Sequence, residues 1–335
     1  MSVRRAFLDR SIGEDRAVVT LNDEPERLII RRDGEPEWGR LGSRSIARNL
    51  GREGAVQFLL MPEDGEAVAP LGASKPLVQG AAVLVEVTAE SRTGKQAVVR
   101  VLGPAEPQAP RLEASGLSFE QLLAGWAPGD ITGGPEARER ADEAQELALQ
   151  TVHPLAGGGS LSIETTRALT AIDVDVGGRG GPDAGRAAKT VNLAAIAAAA
   201  RLLRLKGLGG LVVFDLVGKG HDGPALAAAA RAAFSADDPG VAIGPISRFG
   251  LFELALPWRT RPVAERLTSA EAQALSLIRA LEREGRAHPG SRLIAACPAD
   301  LARAAEPWLD ALADRLGRRF AFEVRAGGPW EVRSA

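Results

Sequence analysis

Residues Arg186 to Lys206 read as one long helix, with Leu193, Ile196, Ala197, Ala200 and Leu203 on a single stripe. The helix stops at Gly207. Behind it, Gly209-Gly210-Leu211-Val212-Val213-Phe214-Asp215 is apolar at nearly every position, the pattern of a buried strand. Ahead of it, Ser160 to Glu164 and Ala168 to Val176 read as two strands of a β-hairpin joined around Thr165-Thr166-Arg167. Strand, long helix and buried strand make a βαβ unit, which crosses over to a parallel neighbour. A mixed α/β core is therefore expected over residues 157–268. The tail, 269–335, repeats the alternation as a small α/β segment: helix from Ser269 to Glu284, strand from Arg292 to Ala296, helix from Ala299 to Leu316 and strand from Phe320 to Arg325.

Residues 1–103 have a different rhythm. Arg27 to Arg31, Ala55 to Leu60, Ala81 to Val87 and Gln96 to Leu102 are short β-prone runs, punctuated by Gly65, Gly80 and the Thr93-Gly94-Lys95 tip. Four or five such strands closing on a small core suggest an OB-type barrel. Pro104, Pro107 and Pro110 then form a stiff break that reads as a domain boundary. Residues 104–156 follow as linker and helix, the helix being Glu136 to Leu149, rich in charge and alanine. The expected fold is thus α+β to α/β, an OB-type barrel followed by a mixed core.

Composition removes several classes of function. The 335 residues carry 41 basic and 43 acidic side chains, a formal net charge of −2. Only five of the 41 are lysines, so the arginine abundance reads as the codon usage of a GC-rich genome, and any nucleic-acid contact must come from a local patch. No window approaches the ~18 uninterrupted apolar residues of a membrane span, so no membrane partner is expected. The segment Met1 to Arg10 has no apolar region of the signal-peptide kind. One cysteine and three histidines give no internal disulfide and few zinc ligands, so no zinc is expected and a reducing cytoplasm is the expected compartment.

The informative anomaly is acidic. Ala171-Ile172-Asp173-Val174-Asp175-Val176 sets two aspartates in an apolar strand, and Asp215 ends the next one. An unpaired carboxylate taken out of water costs several kcal/mol or more. Asp173 and Asp175 share one face, roughly 6.5–7 Å apart at strand rise. If the strands around the crossover are parallel, Asp215 lies at a carboxyl end, where ligands of open α/β sheets gather. Three converging acids would repel one another unless a cation relieved them, and oxygen-only ligands favour Mg²⁺ or Mn²⁺ over zinc. The competing reading is that these acids cap the helix or pair with arginines.

Three blocks, in order, carry a resemblance. GGGSLSIETTRALTAIDVDV (Gly157 to Val176), KTVNLAAIAAAARLLRLKGLGGLVVFDLV (Lys189 to Val217) and ISRFGLFEL (Ile246 to Leu254), with Arg259, Arg261 and Pro262 after it, resemble the core of the ribonuclease E/G family. The resemblance covers about 160 to 267, and more loosely places the family's S1 RNA-binding domain on the barrel. It implies a metal-dependent endoribonuclease that cuts single-stranded RNA and leaves a 5′-phosphate. It puts the two metal-holding, catalytic aspartates on Asp173 and Asp215, with Asp175 where the family has asparagine, preserving an oxygen ligand and adding a charge. It also implies RNA contacts at Phe58, Lys95 and Arg248. For Phe58 a place in the barrel core is the competing reading, for Lys95 a solvated turn, and for Arg248 a salt bridge to one of the acids.

The departures from the family pattern are as specific. Val68 stands where the family has a second aromatic, and Leu216-Val217-Gly218-Lys219 where it has an acid. Asp237-Asp238-Pro239-Gly240 replaces a basic stretch. About 50 residues between barrel and core are too few for the full 5′-monophosphate sensor. The cysteine motif of the family's zinc link is missing and Cys297 reads as a buried hydrophobe, so a zinc-linked tetramer is not supported, while a homodimer stays open. His221, in GKGHDG, lies near the expected site, and GGRGGPDAG (Gly177 to Gly185) lacks the ending of a nucleotide-binding loop and reads as a flexible rim. A non-catalytic RNA-binding protein on the same scaffold is the alternative function.

Overall fold

The computed structural model describes residues 3–71, 76–178, 184–237 and 239–334. Three strands, β1 (Arg4–Arg10), β2 (Glu14–Leu21) and β3 (Glu24–Arg32), open the chain as an antiparallel meander. They do not join the barrel, as the sequence pattern suggested. Their sheet is buried on both sides, with Phe7, Val18, Leu28 and Ile30 in the main core and Ala6, Leu8, Ala17 and Val19 in a second cluster. A small barrel has one buried face, so strands apolar on two faces must lie between layers.

The barrel is built from β4 (Arg44–Glu53), β5 (Val56–Leu60), β6 (Glu66–Pro70), β7 (Ala82–Ala89) and β8 (Ala97–Pro104). Pairings β4–β5, β5–β6, β6–β8, β8–β7 and β7–β4 close it into a five-stranded ring consistent with an OB-type fold. The first strand was not legible, because Arg44, Arg48, Asn49 and Arg52 interrupt its apolar pattern. The proline stretch does not end this unit either. Beyond it, β9 (Arg111–Ala114) pairs back onto Arg44–Ile46 of β4, so the barrel sheet runs to Ala114 rather than to residue 103.

Next come α1 (Phe119–Trp126), the short β10 (Ile131–Thr132), which extends the first sheet beside β1, and α2 (Gly134–Leu149). Ser118 and Gln121 form a reciprocal capping box on α1. Helix α2 buries Ala137, Ala141, Ala144 and Ala148 against the first sheet, a stripe at helical spacing whose small side chains let helix and sheet approach closely.

The core sheet takes β11 (Val152–Pro154), β12 (Ser160–Thr165) and β13 (Thr170–Asp175), then α3 (Ala184–Lys206) and β14 (Gly210–Asp215). After α4 (Gly223–Ala233), the hairpin of β15 (Ala242–Ile246) and β16 (Leu251–Leu256) completes the order β11-β12-β13-β14-β16-β15. Only β13 and β14 run parallel among these described pairings, and α3 connects them as the expected βαβ unit. Ile172, Val174, Val212, Phe214, Phe252 and Leu254 face inward onto Val191, Ala195, Ile196 and Ala199 of α3. The opposite face is open. Leu211, read as part of a strand buried on both faces, is 43% exposed there.

A third unit follows α5 (Val263–Leu267). It comprises α6 (Ala270–Ala287), β17 (Leu293–Cys297), α7 (Ala299–Ala305), α8 (Leu309–Leu316), β18 (Phe320–Val324) and β19 (Glu331–Ser334). The single helix expected over 299–316 is broken at Glu306–Trp308, where Pro307 removes a helical donor. β17 pairs parallel to β18 and antiparallel to β19, and Cys297 is fully buried in the packing of this unit. Among the described residues no helix is long and apolar enough to cross a membrane.

Candidate active site

The parallel pairing of β13 with β14 sets the site. Its register runs Thr170–Val212, Ala171–Val213, Ile172–Phe214 and Asp173–Asp215. The two aspartates are therefore directly opposed on adjacent strands and share a face. Ile172, Val174, Val212 and Phe214, the neighbours on their own strands, are buried, which turns both carboxylates to the open face. Among the described residues neither carboxylate forms a salt bridge or a side-chain hydrogen bond. No arginine among the described residues locks them.

Asp175 lies two residues further on the same face, but its Oδ1 accepts the Gly177 N–H at 2.9 Å. Among the described residues no group of three or more His, Cys, Asp or Glu side chains is placed to hold one ion. The opposed acids are thus Asp173 and Asp215, and Asp175 also shapes the turn that leaves β13. Gly159, at φ +85°, passes so close that a Cβ there would lie 2.4 Å from the Asp175 carbonyl oxygen. Of the glycine-rich stretch 177–185, residues 179–183 lie outside the described ones, as does Asp238 of the acidic replacement.

The antiparallel partner of β14 brings in the third matched block. Asp215 is opposite Leu251, so the turn between β15 and β16 sits at the same end of the sheet as the acids. Ser247 organises that turn: its N–H donates to Leu251 O at 2.8 Å, and its Oγ accepts from Phe249 N and Leu251 N. Gly250, at φ +88°, closes the turn beside His221. Arg248 is exposed, pairs with no acid among the described residues, and lies over the Phe249 ring at 4.7 Å from its centroid.

Two residues that the sequence reading passed over belong to this site. Phe249 is 75% exposed, an unusual place for a phenyl ring, and it stands at the acidic end of the sheet. Asn192, buried on α3, clamps the backbone just after β14: its Nδ2 donates to Val217 O and its Oδ1 accepts from Val217 N, both at 3.0 Å. Each lay inside a matched block, Asn192 in KTVNL and Phe249 in ISRFG, and that was the available signal. Nearby, Lys189 pairs with Asp222 at 3.0 Å, and Asp222 caps α4.

The barrel residues lie elsewhere. Phe58 is half-buried and opposite Val68, on the outer side of strands whose inner side carries Leu59 and Ala67. The reading that placed Phe58 in the barrel core does not hold. Lys95 is exposed on the 92–95 turn and borders a groove at the far ends of β13 and β14, beside Thr170 and Gly210. The structure brings Asp173, Asp215 and Arg248 to one end of one sheet, and places Phe58 and Lys95 on the barrel instead.

A profile of the Ribonuclease E/G family matches residues 137–259, a segment that contains both aspartates and the Arg248 turn. Ribonuclease E of Escherichia coli (strain K12) is 40% identical over 114 residues, which are 33% of this chain and 11% of that protein. Over this segment the chain is similar to the ribonuclease E/G family. Ribonuclease E of Buchnera aphidicola subsp. Acyrthosiphon pisum is 33% identical over 154 residues, 41% of this chain and 17% of that protein. The ribonuclease E/G-like chloroplastic protein of Arabidopsis thaliana is 37% identical over 127 residues, 36% and 12% respectively. The chain thus matches between about a tenth and a sixth of the length of these curated relatives. The segment similar to the family runs from α2 to β16, whereas Phe58 and Lys95 lie outside the matched residues.

Proposed function

We propose that this chain is a metal-dependent endoribonuclease that hydrolyses phosphodiester bonds in single-stranded RNA, serving RNA processing or decay in the cytoplasm. The observation that carries the reading is the opposed pair Asp173 and Asp215, exposed to solvent and in no ion pair among the described residues. Two adjacent carboxylates and open space for a phosphate suit Mg²⁺, which is commonly held by one or two carboxylates together with substrate phosphate; Mn²⁺ accepts the same oxygen ligands. Asp173 and Asp215 would hold the ion. When bound there, it supplies polarisation of the scissile phosphate and a lowered pKa for the attacking water.

The chain's own groups do the rest. Arg248 offers a guanidinium to a phosphate oxygen, and Phe249 offers a ring on which a base can stack. One carboxylate accepts the proton of the attacking water. The water oxygen forms the new bond to phosphorus, the P–O3′ bond breaks, and the departing O3′ takes a proton from solvent, giving a 5′-phosphate and a 3′-hydroxyl. The barrel, read as S1-like, supplies Phe58 and Lys95 to the same RNA.

A second reading, an RNA-binding protein without hydrolysis, draws on the substitutions around the site: Lys219 follows β14 where the family has an acid nearby, and Val68 faces Phe58 where it has a second aromatic. Incubating 5′-labelled single-stranded RNA with Mg²⁺, with chelator, and with Asp173→Asn and Asp215→Asn separates the two. Mg²⁺-dependent products lost in both variants support the nuclease. Cleavage that survives both substitutions refutes the site, and binding without cleavage establishes the second reading.

A further inference from the structure

A cavity of about 110 Å³ lies where β3 and α1 meet the end of α3 and the chain leaving β16 at Pro257. Ile29, Leu122, Trp126, Leu203 and Pro257 give it apolar walls. Residues 27, 29 and 31 alternate onto one half-buried face of β3, so Arg27 and Arg31 bracket Ile29 with their Cα atoms ~13 Å apart. Helix α1 lays a ring against each arginine. The Arg27 guanidinium is 4.7 Å from the centroid of Trp126, and that of Arg31 is 4.6 Å from the centroid of Phe119.

The two cations are not equally satisfied. Arg31 donates to Leu117 O at 2.8 Å. Arg27, with its side chain only 19% exposed, forms no hydrogen bond among the described residues, and the carboxylate of its ion pair, Asp237, is 3.7 Å away. That carboxylate is already engaged, since both its oxygens accept from Arg204 Nε, at 3.0 and 2.8 Å. Glu90, the other acid on the lining, accepts from the Leu41 and Arg261 N–H groups, and Glu26 nearby is held by Arg4 and Arg204. Burial accordingly lowers the Arg27 pKa by more than Asp237 raises it. A guanidinium presents five donors in a planar fork, and donors left unmet in a buried place cost free energy that an entering anion recovers.

We propose that this cavity binds a small organic anion, its carboxylate or phosphate on the Arg27 fork and its apolar body against Ile29, Leu122 and Leu203. Apolar cavities of ~150 Å³ accept benzene, so the guest is limited to one ring or a short chain. The site stands apart from the acids: Leu256, on its wall, is the partner of Gly210, five residues down β14 from Asp215. It is therefore independent of the nuclease reading. Its walls come from β3 and α1 on one side and from α3 and β16 on the other, so an occupant ties the first sheet to the core.

Isothermal titration of the whole chain with benzoate, phenyl phosphate, inorganic phosphate and benzyl alcohol tests this. One molecule of benzoate or phenyl phosphate is expected to bind per chain, and the tighter of the two identifies the head group as carboxylate or phosphate. Inorganic phosphate and benzyl alcohol each supply half of the ligand and are expected to bind at least ~10-fold more weakly. Arg27→Met keeps the length of the side chain and removes the fork, so it is expected to weaken the anionic probes roughly 10- to 100-fold, the range for hydrogen bonds to a charged group. Arg27→Lys keeps the charge without the fork; an intermediate affinity is expected, and this variant decides the matter if the methionine variant does not fold. The proposal is overturned if neither anionic probe binds at millimolar concentration, if affinity is unchanged in either variant, or if inorganic phosphate or benzyl alcohol binds as tightly as the anionic probes.

Discussion

Asp173 and Asp215 face each other across a single parallel strand pairing, side by side on an open sheet face. Like charges so placed repel until an ion relieves them. Two measurements follow from that one relationship. Mg²⁺ should raise the Tm of the unaltered protein and leave that of Asp173→Asn or Asp215→Asn nearly unmoved, and in chelator each variant should melt no lower than the parent. Cleavage should fall by ~10²–10³ in either variant, since the Lewis-acid contribution is several kcal/mol and each ~1.4 kcal/mol is tenfold. A metal-induced Tm shift that persists in Asp173→Asn would place the ion elsewhere.

Phe249 exposes three-quarters of its surface at the same end of the sheet, with Arg248 stacked upon it. An exposed ring contributes little to folding, so Phe249→Ala should unfold within about 0.5 kcal/mol of the parent. A stacked base is worth ~1–3 kcal/mol, so single-strand affinity should drop roughly 5- to 150-fold. Titrating the oligonucleotide against both proteins in chelator decides it; equal affinities remove Phe249 from the RNA path.

The parts of this molecule that could be read from its letters are those where one periodicity rules. The stripe Leu193 to Leu203 and the run Leu211 to Phe214 specify a helix and a strand by local pattern, and the βαβ unit followed. The first sheet was misassigned because burial on both faces is a tertiary fact: Val18 and Val19 point to opposite layers, one toward α2 and α3 and the other toward α1. Barrel strand β4 hid behind Arg44, Arg48 and Arg52, whose charges lie on its solvent side. In the site, the acids were legible because charge in an apolar strand is anomalous. Asn192 was not, because a buried amide inside an alanine-rich helix reveals its partner, the Val217 backbone, only once β14 is packed beside α3.

That amide makes a positioning role testable. Asn192 satisfies both the N–H and the C=O of Val217, two residues beyond Asp215, and its removal leaves both backbone groups short of a partner. Asn192→Ala should cost about 1–3 kcal/mol of stability, the range for unsatisfied buried groups. If the clamp also holds the end of β14, the Mg²⁺ dependence of cleavage should shift to higher concentration while RNA affinity in chelator stays constant. A purely structural residue would lower Tm and leave the Mg²⁺ midpoint in place.

His153 on β11 is buried, and among the described residues neither ring nitrogen has a hydrogen-bond partner. Burial, reinforced by the charge of Lys206, lowers its pKa from 6.5 to about 4. Lys206, whose ammonium donates to the Ala148 and Gln150 carbonyls at the end of α2, is itself lowered by burial to about 8 and stays charged in acid. Between pH 6.5 and 4 the unfolded chain therefore takes up a proton at His153 that the folded chain refuses. The stability this neutral imidazole allows is complete above 6.5 and declines as pH falls, by up to ~1.4 kcal/mol per unit until the folded group also titrates. Replacing the imidazole with an apolar side chain, His153→Leu, removes that proton uptake. Its Tm should fall less steeply than the parent's between pH 6.5 and 4.5 while the two curves run parallel from 6.5 to 7.5, and parallel curves across the acid range as well would assign the loss to other groups.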